Sequence, residues 1–179
     1  MSRQLREPGT LGMIVAHGGA NYLISAKHVL AGNRPAVGDA ICQPAGTTDV
    51  AIVERVSQRL DCAAARLVAG QAFAFEVLNI GTLAPPRDPA EGMRVIKAGA
   101  ATGVSEGKIV RLNGDEIVIK PLADFPLEYE LSAAGDSGAV WLESQSRAPV
   151  GLHYSAQSGG GGVAYAIPMP TVLRELQFT

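Results

Sequence analysis

The sequence predicts an all-β protein made of two sets of short strands, with one short helix at its C-terminal end. Three observations carry this prediction. Short apolar runs recur along the chain, most of them bounded by Gly, Asn, Asp or Pro. Helical periodicity is scarce until the final residues. A single proline-rich stretch, "TLAPPRDPAEGM" at 82–93, separates two groups of runs of similar size. Proline has no amide hydrogen to give a strand ladder, so this stretch is a connection.

The runs before the connection are "GTLGMIVA", "NYLISA", "GDAICQ", "DVAIVERV" and "CAAARLV". "AHGGANY" reads as a tight hairpin between the first two. The runs after it are "RVIKA", "GKIVRL", "EIVIK", "GAVWLE", "PVGLHY" and "VAYAI". "VRLNGDEIVIK" is the clearest hairpin, with Asn113-Gly114 expected at its turn. Gly159 to Gly162 is expected to be a flexible loop before the last strand. In the tail "MPTVLRELQFT", Pro170 precedes Thr171, and Val172, Leu173 and Leu176 share one helical face. Short strands with turns at regular spacing suggest a barrel or a sandwich. The expected organisation is one domain over 1–179: a first set at about 9–81, the connection at 82–93, a second set at about 94–168 and a helix at about 170–177.

Composition narrows the function. The formal net charge is −2 and no basic block stands out, which argues against nucleic-acid binding. No run approaches the roughly 18 apolar residues of a membrane span. The early arginines are followed by an apolar run of only a few residues that soon meets His17, with no small-residue cleavage site after it. The start is therefore not read as a signal peptide. A cytoplasmic location is expected, with Cys42 and Cys62 reduced rather than bridged.

"LSAAGDSGAVWL", 131–142, places Ser137 in a turn that leads into an apolar run. Gly, Asp and Ser are ordinary turn residues, so the string alone reads equally well as a plain β-turn. A serine hydroxyl is a weak nucleophile and needs a base. There are three histidines. His28, in "YLISAKHVLAG", follows a strand end, where a rigid scaffold holds a residue that faces loops. His17 lies in a Gly-rich turn and reads as solvated, and His153 lies inside a strand and reads as packed or lining. The base needs an orienting carboxylate. Asp49 and Asp61 each begin an apolar strand. The small residues Ala63, Ala64 and Ala65 favour Asp61, whereas Asp49 after Thr47-Thr48 reads also as a turn residue. The resulting order His28, Asp61, Ser137 differs from the Ser-Asp-His order of α/β-hydrolases, and "GDSGA" lacks the second glycine of G-x-S-x-G.

On these residues the chain resembles the chymotrypsin/trypsin-like serine peptidase superfamily, and within it the intracellular bacterial and plant branch. The matching segments are "ISAKHVL", "VGDAICQPAG", "LDCAAARL", "VIKAGAATGVSEGKIV", "AAGDSGAVWL", "APVGLHYSA" and "AYAIPMPTVLREL", spread over Gly9 to Leu176. The resemblance implies two six-stranded antiparallel β-barrels with a cleft between them. His28 and Asp61 would come from the first barrel and Ser137 from the second, for hydrolysis of peptide or protein substrates through an acyl-enzyme. Gly135 and Ser137 would supply oxyanion N–H groups. Leu131 would lie near the base of the primary pocket, with Tyr154, Ser155, Ala156 and the Gly159–Gly162 loop as its walls. The apolar base implies a medium-sized apolar substrate side chain, against which Glu128 and Glu130 stand as an acidic alternative.

In secreted relatives the aspartate matching Asp136 pairs with an ammonium freed by cleavage. Here Met13 precedes Ile14, so no zymogen cleavage is expected and Asp136 needs another polar partner. No cofactor is implied, and no ligand spacing supports a metal site built from His17, His28, His153 and the cysteines. The competing reading is a catalytically silent scaffold of the same fold that binds proteins, because fold alone never proves activity.

Overall fold

A computed structural model of the chain describes residues 9–31, 37–42, 48–157 and 162–178. Of the expected Gly159–Gly162 loop only Gly162 is among them. The elements in order are β1 (Met13–His17), β2 (Ala20–Ser25), α1 (Lys27–Ala31), β3 (Ala40–Cys42), β4 (Asp49–Val56), β5 (Ala63–Leu67), β6 (Glu76–Val77), β7 (Gly81–Thr82), β8 (Arg94–Gly99), β9 (Gly103–Asn113), β10 (Glu116–Lys120), β11 (Val140–Glu143), β12 (Pro149–Gln157), β13 (Val163–Pro168) and α2 (Met169–Glu175). The all-β class and the C-terminal helix are as the sequence predicts. No helix among the described residues is long and apolar enough to cross a membrane.

The second set of strands closes into a six-stranded antiparallel barrel, in the order β10-β13-β12-β11-β8-β9. For the first set, the expected six-stranded barrel is not shown among the described residues. That set is there a five-stranded antiparallel sheet, β1-β2-β5-β4-β3. The remaining strands of that half, β6 and β7, are two residues each and pair only with one another. They are too short to bridge the edges β1 and β3.

Both expected hairpins are present, one with a shifted turn. His17 pairs with Ala20 across Gly18-Gly19. Asn113 pairs with Glu116, so the second turn is Gly114-Asp115 rather than Asn113-Gly114. Gly114, at φ 59°, takes the first central position, where a twisted two-residue hairpin requires positive φ.

Period-two alternation distributes side chains among three cores. In β2, Leu23 faces the interior of the first sheet, while Tyr22 and Ile24 face a shared core between sheet and barrel. In β5, Ala63 and Ala65 face the sheet's interior, while Ala64 and the preceding Cys62 face the shared core. This gives the alanine run a reason other than access to Asp61: the strand is buried on both faces, and small side chains let two cores close on it. In β11, Val140 and Leu142 enter the shared core and Trp141 points into the barrel with Val95, Ile109, Ile117 and Val150. Leu142 is fully buried. Leu142→Ala is expected to cost about 2–5 kcal/mol, read as a lowered urea midpoint with unchanged slope.

The helix α2 seals the shared core with Met169, Val172 and Leu176. Pro170 stands in its first turn, where the missing N–H is no loss. The first sheet grips the chain just after it. Arg55 donates to the carbonyls of Leu176 and Gln177, at 2.8 and 2.6 Å. Its guanidinium lies over the rings of Tyr22 and Phe178. His17, expected to be solvated, is the last residue of β1 and packs edge-on against Phe178.

Candidate active site

His28 stands on α1, the single helical turn that follows β2, rather than on an extended strand end. Asp61 lies just before β5, which pairs directly with β2. That pairing brings residues 33 positions apart into contact. His28 Nδ1 lies 2.6 Å from Asp61 Oδ2, and the His28 backbone N–H donates to Asp61 Oδ1 at 3.0 Å. Asp49 is elsewhere, on β4, where its carboxylate accepts from the Cys42 thiol. Burial opposes ionisation of Asp61, but the bonds from the His28 ring and backbone outweigh it and hold the carboxyl below its usual range. An ionised carboxylate only accepts, so His28 Nδ1 carries a proton, and in the neutral ring Nε2 holds the lone pair. The two side chains are 33% and 28% exposed, which leaves the imidazole open to a reactant.

Ser137 lies in the loop before β11. Its neighbours' backbone groups are engaged: Asp136 N–H donates to Ala133, Gly138 N–H to His153, and Ala139 N–H to Asp136. Among the described residues the N–H groups of Gly135 and Ser137 have no acceptor. Gly135 and Gly138 both have positive φ, 108° and 94°. A Cβ on Gly138 would overlap the Ser25 hydroxyl and the Thr10 carbonyl. The loop therefore sits against the end of β2, three residues from His28.

Thr10 makes that junction, which no local pattern in the sequence marks. Its N–H donates to the Ser137 carbonyl at 2.8 Å and its hydroxyl to the Gly135 carbonyl at 2.8 Å. Its hydroxyl oxygen accepts from Ala100 N–H, and its carbonyl accepts from the Ser25 hydroxyl at 2.7 Å. One threonine thus ties the Ser137 loop to the first sheet and to the turn after β8.

Asp136 is fully buried, and its partner is Lys97 of β8, also fully buried, at 2.7 Å. Oδ1 accepts from the N–H groups of Ala101 and Thr102, and Oδ2 also from the Thr102 hydroxyl and Ala133 N–H. Burial would raise the carboxyl's pKa, but the bonds from Lys97 and Thr102 outweigh it and hold Asp136 well below the usual carboxylate range. The three ammonium hydrogens of Lys97 are also accounted for: Asp136, the Thr102 hydroxyl at 3.0 Å, and the face of Trp141 at 5.4 Å. A Cβ on Gly99 would run into the Asp136 carboxylate, so this glycine makes room for the pair. Lys97 could have been suspected in sequence only from its place in the apolar "RVIKA", where a lysine is out of pattern.

Beside the loop is a small cavity of about 30 Å3, lined in part by Leu131, Ser132 and Ala156. Leu131 is buried. Tyr154 and Ser155 do not line it. Tyr154 packs on the shared core and donates its hydroxyl to Glu116 at 2.9 Å. His153 is 1% exposed, with Nε2 2.7 Å from the Ser132 hydroxyl. Burial first, and then the Lys97 charge, push its pKa down to about 4, so it is neutral. The three histidines thus serve three separate places, and no cluster of three metal-binding side chains occurs among the described residues.

No protein-family model and no curated protein matches the chain significantly. Solved structures do. A glutamic acid-specific serine protease that utilises a histidine triad in substrate binding is similar over 93% of this chain and 89% of its own, at 22% identity and a TM-score of 0.72. Thermobifida fusca protease A matches over 93% and 87%, at 18% identity and 0.70. A Cellulomonas bogoriensis chymotrypsin matches over 92% and 85%, at 20% identity and 0.70. At these identities the likeness shows the fold alone, which is chymotrypsin-like.

Proposed function

From this shared architecture we propose that the chain is a serine endopeptidase using Ser137, His28 and Asp61. The observation that carries the reading is the His28–Asp61 pair set against a loop in which, among the described residues, the N–H groups of Gly135 and Ser137 have no acceptor. Ser137 Oγ bonds to the carbonyl carbon of the scissile peptide as its proton passes to His28 Nε2. The carbonyl oxygen becomes an oxyanion that accepts from the N–H groups of Gly135 and Ser137. The C–N bond then breaks, and His28 returns the proton to the departing amine. Water repeats the sequence on the acyl-enzyme, releasing the acid and the serine. Asp61 fixes the imidazole tautomer and stabilises its charged form.

Zymogen cleavage has no role in this reading, because Lys97 supplies the cation that Asp136 needs. Active protein should retain its first dozen residues by intact mass. Cys42 and Cys62, which are not joined by a disulfide, accord with a reducing compartment such as the cytoplasm, and the segment "VIKAGAATGVSEGKIV" with the intracellular branch.

A fluorophosphonate probe should label the wild type on Ser137 and leave Ser137→Ala unlabelled. An unlabelled wild type that still binds peptides would instead make the chain a binding scaffold. Thr10→Val keeps the shape of residue 10 while deleting its hydroxyl bonds to Gly135 and Ala100. It is expected to lower kcat about tenfold with little change in KM, because it loosens the oxyanion N–H groups rather than the substrate pocket.

A further inference from the structure

The turn that delivers Asp61 is built around one hydroxyl. Residues 57–61 follow β4 and lead toward β5. Ser57 opens this turn and is buried. Its Oγ accepts from the N–H groups of Arg59 and Leu60, at 3.1 and 2.8 Å. Those bonds occupy the two lone pairs of the oxygen, which leaves its single proton for one acceptor. Glu175 Oε1, on α2, lies 2.7 Å away. The Cys62 thiol is also a neighbour of this hydroxyl, but burial, with the Glu175 charge next, pushes it up to about 12. A neutral thiol is the weaker acceptor, so the proton goes to the carboxylate.

The same carboxylate holds the turn a second time. Its Oε2 accepts from Arg59 at 3.3 Å, and Arg59 also pairs with Asp115 in the hairpin between β9 and β10. Glu175 stands there against local preference. It is the last residue of α2, the end where a helix dipole disfavours an anion. The bond from Ser57 nonetheless holds its carboxyl below the usual range. The Ser57 backbone is engaged as well. Its N–H donates to the Cys62 carbonyl at 3.1 Å, and its carbonyl accepts from Lys27 Nζ at 3.1 Å. Lys27 directly precedes His28, so the fixed turn reaches both members of the His28–Asp61 pair. Among the described residues the Asp61 carboxylate is hydrogen-bonded only by His28. Its approach to the ring is therefore inherited from the turn.

We propose that Glu175, acting through Ser57, is a positioning residue for the His28–Asp61 pair: it fixes the turn that sets where the Asp61 carboxylate meets the imidazole. Its effect on turnover rests on the peptidase reading above; its effect on the pair does not.

The test uses the full-length protein with Glu175→Ala, Ser57→Ala and Glu175→Gln. The first two delete the bond between the residues. The third removes the charge but keeps an oxygen able to accept from Ser57. On the best substrate in a panel of blocked tetrapeptide anilides, Glu175→Ala and Ser57→Ala should each lower kcat about 10–100-fold with KM little changed, the scale of a small misplacement at reacting groups. Together they should lower kcat no further than either alone, because both remove one interaction. Glu175→Gln should stay close to wild type. The second readout is the proton resonance of His28 Nδ1, which the 2.6 Å contact with Asp61 moves downfield and which His28→Ala identifies by its loss. Glu175→Ala should shift it upfield or broaden it away, and Glu175→Gln should keep it. If Glu175→Ala lowers only the midpoint of urea unfolding, with wild-type kcat and resonance, the proposal is overturned. It is overturned equally if Glu175→Gln loses as much turnover as Glu175→Ala. In a Ser137→Ala background the resonance reads the pair without any hydrolysis. A change there on adding Glu175→Ala supports the proposal even where the wild type cleaves no anilide, in which case only the peptidase reading fails. An unchanged resonance there overturns it.

Discussion

Lys97→Met is expected to destabilise the fold by about 3–5 kcal/mol, because it leaves the Asp136 carboxylate buried without its cation. The midpoint of urea unfolding measures this directly. Adding Asp136→Asn to Lys97→Met should recover part of the loss, since the orphaned charge and not the missing side chain is the main cost. If Lys97→Met unfolds at the same urea concentration as wild type, the pair is not the anchor of the Ser137 loop. The pH dependence follows from the same carboxyl. Its folded pKa lies below its unfolded value of about 3.9, so its contribution is complete above that pH. It is lost as the pH falls below about 4 toward the folded pKa. Acid should therefore unfold the wild type from about pH 4 downward, whereas in Lys97→Met burial raises the orphaned carboxyl's pKa, its protonation relieves the buried charge, and the stability gap between the two proteins should narrow as the pH falls.

His28→Ala is expected to lower kcat by about 10⁴–10⁶, the scale at which loss of a triad base leaves only binding and oxyanion stabilisation. Asp61→Asn should fall by about 10⁴ for a different reason. An asparagine in place of the 2.6 Å carboxylate contact no longer holds the proton on His28 Nδ1. The proton can then sit on Nε2, where the base needs a lone pair. The two variants should fold normally, because both side chains are about a third exposed. Steady-state turnover on the best substrate, with probe labelling of Ser137 alongside, separates them. Turnover within tenfold of wild type in His28→Ala would remove the imidazole from the mechanism.

Much of the site could be read in one dimension because catalytic chemistry restricts residue types. A hydroxyl in a glycine turn, an imidazole after a strand and an acid before one are few in this chain, with one alternative, Asp49, for the acid. Strand pairing of β2 with β5 then placed Asp61, not Asp49, beside His28. The hairpin at Gly114 was legible for the same kind of reason, but its register was not, since pairing across β9 and β10 fixes which two residues turn. Thr10 was invisible: one hydroxyl, one carbonyl and one N–H acquire their roles only from what folding packs around them.

By itself, the sequence determined the β class, the two groups of strands, the C-terminal helix and the candidate residues for the proposed acyl transfer. Those are written in local patterns: alternation, turn residues and side-chain chemistry. Only the tertiary structure decided that the first group pairs five strands in one sheet among the described residues, that Lys97 answers Asp136, and that Thr10 ties the Ser137 loop to the first sheet. Each of these depends on groups from distant strands meeting in a space without water, where a polar atom must find whichever partner the packing leaves it.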